Sequence, residues 1–192
     1  MRPLILASTS PARRALLGAL GVPFQAVAPG VDESMPPGTP VEEVVRVLAQ
    51  RKAEAVAARF PGALVLGADQ LGEVDGRLLG KAASREEARA QLRALRGRTH
   101  RLLTAVCLTG AGTQETRMEE ARLTLFPLAD AEVEAYLATG EWEGCAGSYR
   151  VEGRGQALMA RIEGDRTAIQ GLPMQAVVHL LRGRGVRLLG GG

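Results

Sequence analysis

Asp69 follows a short apolar run, Ala63-Leu64-Val65-Leu66, bounded by Pro61-Gly62 and by Gly67. Such a run reads as a strand buried on both faces, and α/β sheets bind ligands at the carboxyl ends of core strands. A carboxylate delivered there is placed for a metal or a proton. Asp75-Gly76 is a two-residue hairpin signal that would return Leu78, Leu79 and Gly80-Lys81 alongside Asp69, setting an ammonium near the carboxylate. Upstream, Ser8-Thr9-Ser10-Pro11 follows an expected strand over residues 3–7 and reads as a helix start, with Ser10 as N-cap and Pro11 at the first position. Free backbone N–H groups at a helix start form an anion site. Arg13 shares a helical face with Leu17 and Leu20, on the side where an anion on that N-terminus would be met. Lys52 falls in the apolar stripe of a later helix, so it must either snorkel outward or point into a site that holds anions. Glu33 completes the set, in the acidic pair Asp32-Glu33 of a loop over residues 29–38.

Taken singly, each feature has a plain structural reading as a cap, a turn or a surface charge. Together, three cations (Arg13, Lys52, Lys81), two separated acids (Glu33, Asp69) and a serine-lined helix start suit a polyphosphate. Cations and N–H groups neutralise phosphate charge, carboxylates hold a divalent metal, and one carboxylate can orient or deprotonate a water for in-line attack at phosphorus. No P-loop pattern, nucleophile elbow, Cys/His pair at useful spacing or dinucleotide fingerprint is present.

Composition narrows the classes further. The 192 residues, 46% of them hydrophobic, suffice for a full globular core, and no apolar run approaches membrane-spanning length. Two cysteines far apart and two histidines make neither a zinc pattern nor a disulfide framework, and the N-terminal apolar stretch is too short for a signal peptide; a cytoplasmic location is expected. A net charge of +3, scattered and without aromatic interleaving, argues against tight polynucleotide binding. Of 24 Lys plus Arg residues only Lys52 and Lys81 are lysines, and asparagine is absent. In a chain that favours arginine so strongly, the two lysines mark places where a compact ammonium works and a planar guanidinium does not, or else survive by chance.

The elements that must position these groups follow from periodicity and caps. A helix from Pro11 ends at Gly21, and residues 24–28 read as a strand. Thr39-Pro40-Val41-Glu42 reads as a capping box opening a helix to about Arg59, with Val41, Val44, Val45, Leu48 and Val56 on one face. Ser84-Arg85-Glu86-Glu87 opens another helix, closed by Gly97. Strands over 99–109 and 115–127, joined through Gly110-Ala111-Gly112-Thr113, read as an antiparallel hairpin. Asp130 caps a short helix ending at Gly140. Residues 148–152 and 156–162 read as strands, 174–181 as the last helix, and Gly190 to Gly192 as a frayed tail. This describes one mixed α/β domain over residues 1–192, with room for two lobes.

The ordered motifs LILASTSPARRALL, VDES, LAQRKAEAVA, LGADQ, LGK, GRTHRLLTAV, CAGSYRVEG and IEGDRTAIQGLP run through essentially the whole chain. In them the sequence resembles the Maf family of cytoplasmic nucleoside triphosphate pyrophosphatases. The resemblance implies an elongated, two-lobed α/β fold, inosine-triphosphatase-like, with a central mixed sheet and a cleft between lobes. It implies hydrolysis of a nucleoside triphosphate to monophosphate and pyrophosphate with a divalent cation, Mg²⁺ or Mn²⁺, and suggests a homodimer. Carried onto matching positions, it makes Ser8, Arg13, Lys52 and Lys81 substrate-binding residues, Glu33 and Asp69 metal ligands, and Asp69 the proton acceptor. The family's dTTP/UTP branch resembles a pattern with a second Arg after Ser-Pro, Thr after the catalytic Asp and Gln in the later motif. This sequence has Ala12, Gln70 and Glu152 there. Gln70 and Glu152 resemble the 7-methyl-GTP branch, whereas Ala12 departs from it, since that branch can carry a Trp able to stack on a cationic base. A competing reading is a nucleotide-binding regulator of septum formation with incidental hydrolysis.

Overall fold

The computed structural model describes residues 2–189. The chain forms two compact units, one made of the chain up to Asp69, Thr104–Glu119 and the chain from Gly171, the other of Gln70–Leu103 and Glu120–Gln170. A seven-stranded sheet carries residues of both. Strand β1 (Leu4–Ala7) pairs in parallel with β2 (Gln25–Ala26) and with β3 (Leu64–Val74), in register from Leu4 opposite Leu64 to Ala7 opposite Gly67. Strand β4 (Arg77–Leu79) folds back antiparallel on β3, with Val74 opposite Arg77. Next to β3 come β5 (Thr99–Gly110), β6 (Thr113–Leu125) and β7 (Met159–Glu163), the last antiparallel to β6, giving the order β2-β1-β3-β5-β6-β7 with β4 attached to β3. The two-residue link Ala111-Gly112, both at positive φ (56° and 74°), is a hairpin turn and so makes β5 and β6 antiparallel. The mixed sheet is the one the sequence leads one to expect.

In the first unit, β1 is buried along its whole length and β3 over Leu64 to Asp69. Leu4, Leu6, Leu64 and Leu66 pack with Leu17 of α1 (Pro11–Gly18) and with Ala176, Val177, Leu180 and Leu181 of α6 (Met174–Gly183). Helix α2 (Val41–Ala57) buries the whole expected stripe, and Lys52 with it. Its expected capping box does not form. Thr39 donates instead to the Pro36 carbonyl (2.7 Å), and Pro40 precedes the helix without a side-chain cap, because the two prolines at 36 and 37 set a turn that takes the hydroxyl.

The second unit packs Ala88, Leu92 and Leu95 of α3 (Arg85–Leu95) and Val133, Tyr136 and Leu137 of α4 (Asp130–Leu137) onto Leu102, Leu123 and Leu125. Arg85 and Arg89 share Glu134, and Arg93 and Arg96 share Asp130 (2.8 to 3.0 Å), so the two helices face one another through four guanidiniums and two carboxylates. Ser84 caps α3 as expected, accepting from Glu87 N (3.2 Å). Residues 148–152 are turns and not a strand, Arg154–Leu158 is a 3-10 helix, and the expected later strand begins only at Met159. A short helix α5 (Arg166–Ile169), capped by Asp165, lies where no helix was expected. Asp130 is the first residue of α4, and its neighbour Ala129 takes the capping position. The expected tail at 190–192 lies outside the described residues.

One buried histidine of this unit ties stability to pH. His100 is 1% exposed, and its Nε2 lies 2.5 Å from the Tyr149 hydroxyl. Its Nδ1 makes no hydrogen bond of good geometry; the Leu123 backbone nearby offers only weak support to the charged ring. Burial pushes the imidazole down from 6.5 to about 4. The unfolded chain therefore takes up a proton that the folded chain refuses. Stability present above pH 6.5 is lost as pH falls toward 4, by about 3 kcal/mol in all. Urea midpoints between pH 7 and pH 4 should fall more steeply for the wild type than for His100→Gln. Parallel slopes would show that His100 is not the group responsible.

Candidate active site

The site begins where β1 ends. Ser8 turns the chain, its N–H donating to the Leu6 carbonyl (2.9 Å) and its Oγ accepting from Ser10 N (3.1 Å). Ser10 then accepts from Arg13 N (3.4 Å), and Pro11 opens α1 at its first position, as the spacing predicts. Ser8 is 5% exposed and lies two residues before Ser10, the N-cap at the positive end of α1. Ala12 on the same turn is partly buried.

Arg13 does leave α1 on the apolar side. Its Nε donates to the Gly171 carbonyl and its Nη1 to the Ala68 carbonyl, both at 2.8 Å, so the guanidinium is fixed against the residue before Asp69. Gly171 has φ 101° and lies so near that a Cβ there would be 3.3 Å from Arg13 Nε. Burial lowers the guanidinium pKa, opposed by Asp69 and Glu33; arginine stays charged at any working pH.

Lys52 is the centre of the arrangement. Its Nζ stands 2.5 Å from Asp69 Oδ1 and 2.7 Å from Glu33 Oε1. The Lys52 and Asp69 side chains are each 8% exposed, and that of Glu33 is 58%. Of the two sequence readings for a lysine in an apolar stripe, this is the second: it points inward onto acids. Burial raises the Asp69 carboxyl above its ordinary value, and the attraction of Lys52 and Arg13 opposes the rise without cancelling it. Asp69 is not at the strand end that the apolar run suggests, because β3 continues to Val74. The parallel pairing with β1 stops at Gly67, however, so Asp69 still lies just beyond the end of its shorter neighbour.

Close approach of α2 to β3 makes the Lys52 contact possible. A Cβ on Gly67 would collide with the Ala49 carbonyl oxygen and sit 2.6 Å from Ala53 N, atoms on the helical turn that carries Lys52. In the sequence Gly67 bounds the apolar run; an isolated glycine within a buried strand is also the signal for a close backbone approach.

The remaining candidates lie in the second unit. Gln70 donates its amide to the Ala168 and Ile169 carbonyls of α5 (2.7 and 3.0 Å), so it ties that short helix to β3. The ladder of β3 with β4 closes at Leu79, and exposed Lys81 makes a bridge with Ala146 in place of a continued pairing along β3. Glu152 is exposed, 3.7 Å from Arg150. Among the described residues no group of three or more His, Cys, Asp or Glu is placed to hold a metal, so the protein's carboxylate donors at the Lys52 cluster are the pair Glu33 and Asp69.

A family model described as Maf-like protein matches residues 3–184. The chain belongs to the Maf family. A dTTP/UTP pyrophosphatase of Symbiobacterium thermophilum is 43% identical to this Maf-family chain over 192 residues, which cover 100% of the chain and 99% of the relative. A 7-methyl-GTP pyrophosphatase of Xanthomonas axonopodis pv. citri is 45% identical over 189 residues, covering 98% and 100%. The crystal structure of protein VC0702 from Vibrio cholerae superposes with a TM-score of 0.51 at 12% identity over 97% of this chain and 99% of that one, a likeness of fold.

Proposed function

We propose that this Maf-family protein is a nucleoside triphosphate pyrophosphatase that releases monophosphate and pyrophosphate, with Asp69 as the proton acceptor and 7-methyl-GTP as the preferred substrate. The observation that carries the reading is the buried Lys52 ammonium held between Asp69 and Glu33, beside the α1 N-terminus and Arg13. Such a cluster brings cationic and N–H donors together with two carboxylates, the two kinds of group that a metal-bound triphosphate requires.

Ser8 and the first N–H groups of α1 bind phosphate oxygens, and Arg13 and Lys52 neutralise their charge. Lys81 has the same role by family resemblance. Asp69 orients a water in line with the α-phosphorus and takes its proton as the P–O bond to the leaving pyrophosphate breaks. A carboxyl whose pKa is raised by burial is a better base than an exposed one. Glu33 and Asp69 fit a hard divalent cation of the magnesium type, which uses one or two carboxylates and completes its shell with water and phosphate. When bound, that cation supplies charge neutralisation on the phosphates.

The two curated relatives differ in named substrate at nearly equal identity, so the base is argued from residues. Glu152 can accept from the N1–H and 2-amino group of a guanine edge and favours the positive charge left by N7 methylation. Ala12 offers no ring for stacking, so the preference is expected to be smaller than in a relative with Trp there. A cytoplasmic homodimer is part of the same proposal. No helix among the described residues is long and apolar enough to cross a membrane.

The test is pyrophosphate release from 7-methyl-GTP, GTP, dTTP and UTP with Mg²⁺ or Mn²⁺, followed by the reaction in oxygen-18 water. Label is expected in the monophosphate, and 7-methyl-GTP should lead in kcat/KM. Label in orthophosphate contradicts attack at the α-phosphorus. A lead for dTTP or UTP overturns the base assignment alone.

A further inference from the structure

Glu33 presents a problem of positioning. It lies in a segment without regular structure, and Asp32, Glu33, Ser34, Pro36 and Pro37 are all exposed, so no core burial fixes the backbone. Its contact with Lys52 involves a carboxylate that is 58% exposed, and an ion pair open to water contributes little to holding a loop.

A restraint on the backbone at either side of Glu33 comes from the residue before Lys52. Arg51 Nη1 donates to the Ser34 carbonyl at 3.0 Å and to the Asp32 carbonyl at 3.5 Å, the two residues that flank Glu33. From the loop side, the Asp32 carboxylate accepts from Ser34 N (2.9 Å) and from Ser34 Oγ (2.6 Å), closing an Asx turn with Glu33 at its middle. Those bonds from Ser34, with a smaller contribution from Arg51, hold the Asp32 carboxyl below its ordinary value. Adjacent residues of α2 thus act on the same loop segment, Arg51 on the backbone to either side of Glu33 and Lys52 on its carboxylate.

We propose that Arg51 is a positioning residue for Glu33, holding the loop so that its carboxylate meets Lys52 and the metal; this rests on the pyrophosphatase reading above. Asp32 contributes by stiffening the turn. The arrangement explains why a metal-binding carboxylate can sit on an exposed loop and still be presented in one geometry.

A double-mutant cycle tests the inference. Arg51→Ala should lower kcat/KM about 10- to 100-fold, the scale expected when a binding group is displaced by about 1 Å. The Mn²⁺ concentration for half-maximal activity should rise, and the melting temperature should change little. In a Glu33→Gln background the same substitution should cost about twofold or less, because a residue that acts through Glu33 has nothing left to position. Arg51→Lys should recover part of the loss. Amide exchange at residues 33 and 34 should speed up in Arg51→Ala. Full additivity of the two substitutions, an unchanged Mn²⁺ requirement, or unchanged exchange in the loop each overturns the proposal. A wild type that releases no pyrophosphate from any triphosphate overturns the parent reading and the catalytic role of the clamp together. That result differs from failure of the clamp alone, in which the wild type turns over and the variants do not behave as stated.

Discussion

Asp69→Asn is expected to lose about 10²- to 10⁴-fold in turnover, the usual cost of removing a general base, while melting at about the wild-type temperature. The first half follows from chemistry: an amide keeps the shape and cannot take a proton from water. The second follows from the sign of the pKa shift. Burial, helped by the neighbouring Glu33 carboxylate, raises the Asp69 carboxyl against the pull of Lys52 and Arg13, so the folded protein holds that proton more firmly than the unfolded chain does. Stability from this group is greatest below the ordinary value of 3.8 and is lost as pH rises through the raised folded value. At neutral pH the ionised side chain is therefore a burden on the fold, which asparagine removes. Against this, Lys52 loses one of its acids, but it keeps Glu33 at 2.7 Å. Steady-state kinetics and thermal melts decide the matter: near wild-type turnover sinks the role of Asp69, and a melt lowered by tens of degrees would mean that the pair holds the fold.

Gly67→Ala should damage both stability and activity although alanine is the smallest possible change. The added methyl would meet the Ala49 carbonyl oxygen, Ala53 N at 2.6 Å and Ala53 Cβ at 3.0 Å. Two of those atoms belong to the helix backbone and cannot turn aside as a side chain would, so α2 must retreat. Overpacking of this kind costs about 1–3 kcal/mol, or roughly 2–12 °C in a chain of this size. Lys52 rides on the retreating turn, and a displacement near 1 Å is enough for about a 10²-fold loss in kcat/KM. Gly183→Ala is the control, because nothing lies within 4 Å of the Cβ it would add. Equal melts and rates for the two alanine variants would show that the helix and strand have slack to spare.

The parts of the site legible in the sequence were those with a local signature. The spacing of Val41, Val45 and Leu48 places Lys52 on the packing face of α2, and Arg13 follows from its register with Leu17; both are where that periodicity puts them. Ser10 and Ser84 cap their helices for the same local reason. Where partners distant in sequence decide, the reading falls short. The continuation of β3 through Asp69 to Val74 depends on partner strands that a run of four apolar residues does not reveal. The turns at 148–152 alternate like a strand but lack a pairing neighbour, and Arg51 binds loop carbonyls, which carry no side-chain code. The roles of Gln70 and Glu152 rest on family resemblance alone, whereas Lys81 is marked by the hairpin signal and the scarcity of lysine; the structure bridges it to Ala146.

The seam between α3 and α4 gives the second unit a response to its surroundings that apolar packing would not. Each carboxylate there serves two arginines, so the entropy lost in ordering one acid supports two contacts. Being at the surface, those contacts weaken with ionic strength, unlike the shielded Lys52–Asp69 pair. Heating acts in the opposite direction: the hydration of charged groups becomes less favourable as temperature rises, so shared ion pairs cost less to form while apolar burial levels off. In a chain that writes nearly all its cations as arginine, the shared contacts of this seam are the part of the second unit that heating should weaken least.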